Sequence, residues 1–107
     1  MRAALLVLAL AYAGGSLAAG NAEKGKAKAA EVCAACHGAD GSKPVAPENP
    51  ILAGQYNDYL VKALSDYKSG KRANPVMKAF ADQLSRQDIQ DVAAWFSSQH
   101  SNLHFQR

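Results

Sequence analysis

Apolar positions recur along this chain with the period of a helix and nowhere with the period of a strand. Ala22 to Ala35 is alanine-rich, which favours helix, with Asn21 placed to cap it and Lys24, Lys26 and Lys28 set for solvent. Gly25 interrupts that stretch at a cost in helix propensity, a cost that close approach of another helix would explain. From Tyr56 to Ser69 the side chains of Tyr56, Tyr59, Leu60, Ala63, Leu64 and Tyr67 share a face, and Gly70 fits the position just past the helix end. That stripe reads as plain core, and Asp58 with Lys62 forms an i,i+4 pair on another face. Asn74-Pro75 is a cap followed by proline at the first helical position, which predicts a short helix or turn carrying Val76, Met77 and Phe80. Ser85 and Asp88 resemble a capping box, and Ile89, Val92, Ala93 and Phe96 follow at helical spacing, so a last helix is expected to end near Gln99. Between the first two helices, Gly38, Gly41, Pro44, Pro47, Pro50 and Gly54 exclude a continuous helix and predict a long ordered loop anchored by Ile51 and Leu52. The fold class is all-α, with no repeat and no second domain.

Both ends depart from this pattern. Met1-Arg2 is a short positive start, Ala3 to Ala13 is apolar, and Gly14-Gly15-Ser16-Leu17-Ala18 offers small residues for cleavage. This is the layout of a secretory signal peptide. A spanning helix needs roughly 18–20 apolar residues, and the glycines break the run too early. No cysteine follows to carry a lipid. Residues 1–18 are therefore expected to leave, with cleavage between 18 and 20. An exported, periplasmic protein without a membrane span would remain, with one domain over 21–99 and a polar tail over 100–107. Loss of Arg2 takes the formal charge from +3 to +2, which carries no nucleic-acid footprint. The remaining chain is short for a self-sufficient core, so a cofactor is a natural source of stability.

Candidate chemistry concentrates in Cys33-Ala34-Ala35-Cys36-His37, a C-x-x-C-H sequence, the attachment signature of c-type haem. Two intervening residues set the thiols about one helical turn apart, within reach of both vinyl groups of a porphyrin. His37 follows directly and is placed to bind the iron axially. A second axial ligand is then needed. Met77 is the only methionine other than Met1, and it lies in an apolar segment behind a proline. Methionine opposite histidine is the ligation of cytochromes c and raises the reduction potential. His100 and His104 compete for that position, but both lie in the polar tail. A zinc finger is disfavoured, since its cysteines and histidines are about 12 residues apart, far closer than Cys36 and His100. A thioredoxin-like dithiol needs a βαβ context that is absent. The proline-rich loop suits one side of a cofactor, and ionised haem propionates bring the net charge close to zero.

The chain resembles small soluble class I cytochromes c of the bacterial type, among which single-domain members carry one haem and duplicated members two. The matching stretches run in the family's order: residues 25–38, with G-K-A-K-A-A-E-V-C-A-A-C-H-G; 49–55, with N-P-I-L-A-G-Q; 59–72; P-V-M at 75–77; and 84–96. The resemblance implies a cytochrome c fold, four to five short helices wrapped around one covalently attached haem c. It implies thioether bonds from Cys33 and Cys36, axial iron ligands in His37 and Met77, and a Pro50 carbonyl that accepts the Nδ1–H of the histidine. Gly25 matches the small residue where first and last helices cross on the Trp95-Phe96 side. Arg72 lies in a region that reaches toward a haem propionate. The function expected is that of a one-electron carrier between larger redox proteins, a monomer or a subunit of a redox complex, not an enzyme in its own right. Lys43, Lys71, Arg72 and Lys78 are candidates to rim the exposed haem edge. Two alternatives stay open: a dedicated cytochrome subunit of a periplasmic dehydrogenase, and a haem protein whose labile methionine admits a gas or peroxide.

Overall fold

The computed structural model describes residues 19–101, together with Ala4 alone from the stretch before them. The expected signal peptide and the tail beyond Ser101, with His104, lie outside the described residues. Within them are helices α1 (Ala22–Val32), α2 (Ala34–His37), α3 (Asn57–Ser69), α4 (Pro75–Ala81) and α5 (Arg86–Ser97), and no strand. None of these helices is long and apolar enough to cross a membrane.

Local rules account for most boundaries. The Asn21 side chain accepts from Lys24 N, and the Asn74 side chain from Met77 N. Ser85 and Asp88 exchange both bonds of a capping box at the start of α5. Gly70 ends α3 in the left-handed conformation. One expected helix divides: Cys33 takes φ −111°, off the helical value, and separates α1 from the single turn of α2. The helical run therefore reaches His37, two residues further than the composition predicts.

Helix α5 is the centre of the packing. It crosses α1 where a Cβ on Gly25 would stand 1.9 Å from the Asp91 carbonyl oxygen and 3.0 Å from the Trp95 Cβ. Only a residue without a side chain permits that approach. Asp91 is buried on α5, and its carboxylate accepts from Asn21 N at 2.8 Å and from Gln87 Nε2 at 3.1 Å. The start of α1 is thus tied to α5 as well as packed on it. Ala29, Leu60, Val92, Ala93 and Phe96 form the buried cluster joining α1, α3 and α5. The long loop lies against α5: Trp95 Nε1 donates to Ala39 O at 3.1 Å, and Gly54 N to Phe96 O at 2.9 Å.

Two surface expectations change. Lys62 pairs with Asp66 rather than Asp58. The Asp58 carboxylate instead faces the first turn of α3 and accepts from Tyr59 N at 3.0 Å, where backbone N–H groups lack helical partners. The lysines of α1 are not all plainly solvated. Lys26 sits 5.5 Å from the centroid of the Trp95 ring, and Lys28 lies near Glu31 and Asp88.

Candidate haem site

A cavity of about 630 Å³ opens between the loop, α3 and α4, with α5 at its back. That volume is in the range of cofactor-binding clefts. Cys33, Cys36, His37, Pro50, Arg72 and Met77 all line it. Six side chains from four parts of the sequence therefore meet at one surface. The remaining wall is largely apolar, with Leu52, Leu60, Leu64, Phe80, Leu84, Val92 and Phe96.

His37 is 7% exposed and is held by the loop. Its Nδ1 lies 2.9 Å from the Pro50 carbonyl oxygen. Donation there fixes the tautomer with the lone pair on Nε2, the nitrogen available to a metal, and makes the imidazole a stronger ligand. The same loop satisfies the end of α2: Val45 N at 3.0 Å and Asn49 Nδ2 at 3.2 Å both donate to Cys36 O. The proline-rich segment thus closes the carbonyl end of the C-x-x-C-H turn and aims its histidine. Asn49 is a contributor that periodicity and motif did not single out, since an asparagine before proline signals only a turn.

Cys33 and Cys36 are both free and half-buried. Burial pushes the Cys33 thiol up to about 11. Thiol–disulfide catalysts need the opposite, a thiolate stabilised near neutral pH. A Cys33 thiol raised by burial does not meet that condition.

Met77 enters from α4, a helix of seven residues whose N-cap Asn74 accepts from the amide of Met77 itself at 3.0 Å. Arg72 stands at the mouth, 3.4 Å from the Tyr59 hydroxyl and 4.7 Å from the centroid of the Tyr67 ring. The hydrogen bond with Tyr59 raises the pKa of the guanidinium further above its ordinary value, so it is a fixed positive charge at the rim. Of the four cations expected around the edge, Arg72 lines the cavity, whereas Lys43, Lys71 and Lys78 are exposed away from its lining. Lys78 is tied elsewhere, donating to Lys68 O at 3.0 Å and to Asp82 Oδ1 at 3.2 Å.

The stripe on α3 corrects the sequence-based expectation. Only Leu60 of that face is buried, while Tyr59, Ala63, Leu64 and Tyr67 line the cavity and Tyr56 is 49% exposed. It is a wall and not solid core. Large apolar side chains left open to solvent follow the same logic, since three of the five among the described residues, Ile51, Tyr59 and Val76, are on the lining. An apolar plate seated here would cover surface that the protein leaves uncovered, and a covalent haem supplies such a plate. The donor set agrees: two thiols and an oriented imidazole at one wall, a thioether on α4 and an arginine at the mouth.

The comparisons agree with this geometry. The cytochrome c family model matches residues 22–100. Cytochrome c4 of Pseudomonas aeruginosa is 52% identical over 98 residues, 92% of this chain and 48% of that protein. Cytochrome c-554(548) of Halomonas halodenitrificans is 42% identical over 84 residues, 76% of this chain and 99% of that protein. The crystal structure of reduced recombinant cytochrome c4 from Pseudomonas stutzeri superposes with a TM-score of 0.72 at 46% identity, over 79% of this chain and 48% of that one. The chain thus spans about half the length of the cytochromes c4 it matches and nearly all of the shorter relative. A family match over almost the whole described region, on a fold that gathers the C-x-x-C-H turn and a methionine around one apolar cavity, makes this chain a member of the cytochrome c family with covalently attached haem c as its cofactor.

Proposed function

We propose that the chain is a periplasmic one-electron carrier that shuttles electrons between larger redox proteins and has no catalysis of its own. The observation that carries this reading is the convergence of Cys33, Cys36, His37 and Met77 on one cavity. In that reading Cys33 and Cys36 form the thioethers, His37 binds the iron through Nε2, and Met77 fills the remaining axial position. With both axial positions taken there is no open site for a substrate. The haem supplies a reversible one-electron couple. The protein supplies an imidazole oriented by Pro50, together with a soft sulfur and an apolar wall that favour the reduced state.

Exchange with partners would occur at the cavity mouth, where the haem edge is nearest to solvent and Arg72 provides positive charge. Redox encounters of this kind use small, short-lived interfaces. The match to cytochrome c-554(548), which covers 99% of that protein at 42% identity, supports reading these residues as one cytochrome c domain. Residues 1–18, with their positive start and apolar run, support export before haem attachment.

Coexpression with haem-attachment machinery, followed by mass measurement, visible spectroscopy and a redox titration, tests the proposal. The expected product carries one covalent haem, is low-spin in both oxidation states and titrates as a single one-electron couple. A protein that emerges without covalent haem, or with a high-spin iron that readily binds peroxide, would overturn it.

A further inference from the structure

The helix that carries Met77 has little of its own to hold it. Helix α4 has seven residues, of which only Ala81 is buried. Two helical turns are marginal without tertiary support, and the last carbonyls of any helix lack partners within it. Here Asp82 N, Gln83 N and Leu84 N close the end of α4 locally on Lys78 O, Phe80 O and Ala81 O, and one side chain from another element ties down the turn that follows. Lys68, in the last turn of α3, extends its ammonium to the segment where α4 ends. Its Nζ lies 2.7 Å from Leu84 O, 3.3 Å from Asp82 O and 3.5 Å from Ala81 O. An ammonium has three donors and no acceptor, and three carbonyls converge on it. Positive charge at a helix C-terminus is also favourable. A tie of the opposite sense runs back: Lys78 of α4 donates to the backbone carbonyl of Lys68 at 3.0 Å.

The carbonyls that Lys68 gathers belong to structural residues. Ala81 is fully buried and Leu84 is 2% exposed, and both line the same cavity as Met77. The lysine therefore fixes the α4 turn to α3 at a point where the backbone is also part of the cavity wall. Asn74 holds the other end of α4 through the Met77 amide. The thioether is presented from a short helix clamped at both ends, one clamp within the helix and one from α3.

We propose that Lys68 is the positioning residue for the axial methionine: by holding the end of α4 to α3 it keeps Met77 at the iron and sets how readily that ligand is displaced. The inference rests on the reading of Met77 as a ligand. It assigns to a lysine outside the cavity lining a part in sixth-ligand strength, distinct from any part in partner docking.

The test uses the holoprotein with Lys68→Met and Lys68→Arg, beside Met77→Ala as a reference. The readouts are the weak long-wavelength absorption band of methionine-ligated ferric haem and the affinity of the ferric protein for imidazole. Lys68→Met should weaken the band and raise imidazole affinity roughly tenfold, the factor that corresponds to about 1.4 kcal/mol of lost restraint. Lys68→Arg, which keeps donors and charge, should restore most of both. If Met77→Ala loses the band while Lys68→Met keeps it with unchanged imidazole affinity, the positioning role is wrong and the ligand assignment survives. The positioning role is equally wrong if Lys68→Met lowers only the denaturation midpoint, because a purely structural tie would leave ligation under native conditions untouched. If Met77→Ala itself leaves the band in place, the ligand assignment fails first.

Discussion

Each residue of the C-x-x-C-H turn does a separate task, and their spacing lets one turn of chain do all of them. Cys33 ends α1, Cys36 has its carbonyl taken by Val45 and Asn49, and His37 has Nδ1 against Pro50 O. Met77 is the complement from a distant part of the sequence. As the proposed axial ligand its thioether would favour ferrous iron, so Met77→Ala should lower the reduction potential by on the order of 0.1 V or more, within the roughly 0.8 V range that axial ligands span. It should also admit imidazole or carbon monoxide to the iron. A redox titration decides it, and an unchanged potential would remove Met77 from the ligand role. The turn was legible from sequence because attachment chemistry is local, with both thiols and the imidazole within five residues. Met77 was a candidate because it is the one methionine after Met1, lies in an apolar segment behind Pro75 and falls in the P-V-M match at 75–77. Asn49 was not, because its bond to Cys36 O depends on how the loop folds back and not on any neighbour in sequence.

At the scale of elements, the α1–α5 crossing and the α3 stripe teach opposite lessons. Gly25 is costly in a helix, and the structure shows why it is there: its missing side chain makes room for the Asp91 carbonyl. Gly25→Ala gains intrinsic helix propensity of about 1 kcal/mol yet must push two backbones apart. Overpacking of this kind costs about 1–3 kcal/mol, and here the obstacle is backbone, which cannot rotate away. Chemical denaturation of the holoprotein should therefore show a lower midpoint for Gly25→Ala, and a rise in midpoint would mean the helices part without strain. Helix α3 shows the limit of periodicity. A stripe of aromatic and aliphatic residues marks a face turned away from water but does not record what lies opposite. The same pattern serves for protein core and for a cavity wall. Likewise, two acids flank Lys62 at equal spacing, and only the use of Asp58 at the helix start decides in favour of Asp66.

For the whole molecule, the centre of the fold is a cavity and the protein core is thin. Among the described residues the largest fully buried side chains are Phe96, Leu84 and Val92, and all three also border the cavity. Small domains bury a low fraction of their surface and depend on added contacts for stability. Apoprotein made with Cys33→Ala and Cys36→Ala should accordingly lose much of its helix content and its cooperative thermal transition. Circular dichroism against the holoprotein measures both. An apoprotein that unfolds cooperatively with full helix content would show that the helices pack without the haem.

Sequence by itself determined the helices, their caps, the haem and the candidate ligands. Each is written in short-range terms: a cap three residues from its amide, thiols one turn apart, an apolar repeat along one helix. Tertiary structure decided what those elements face. It made the α3 stripe a wall, folded Asn49 onto the Cys36 carbonyl, tied Lys78 to the end of α3 and brought Lys68 to the end of the Met77 helix. These contacts join residues ten or more positions apart, and no local pattern encodes which distant carbonyl a side chain will meet.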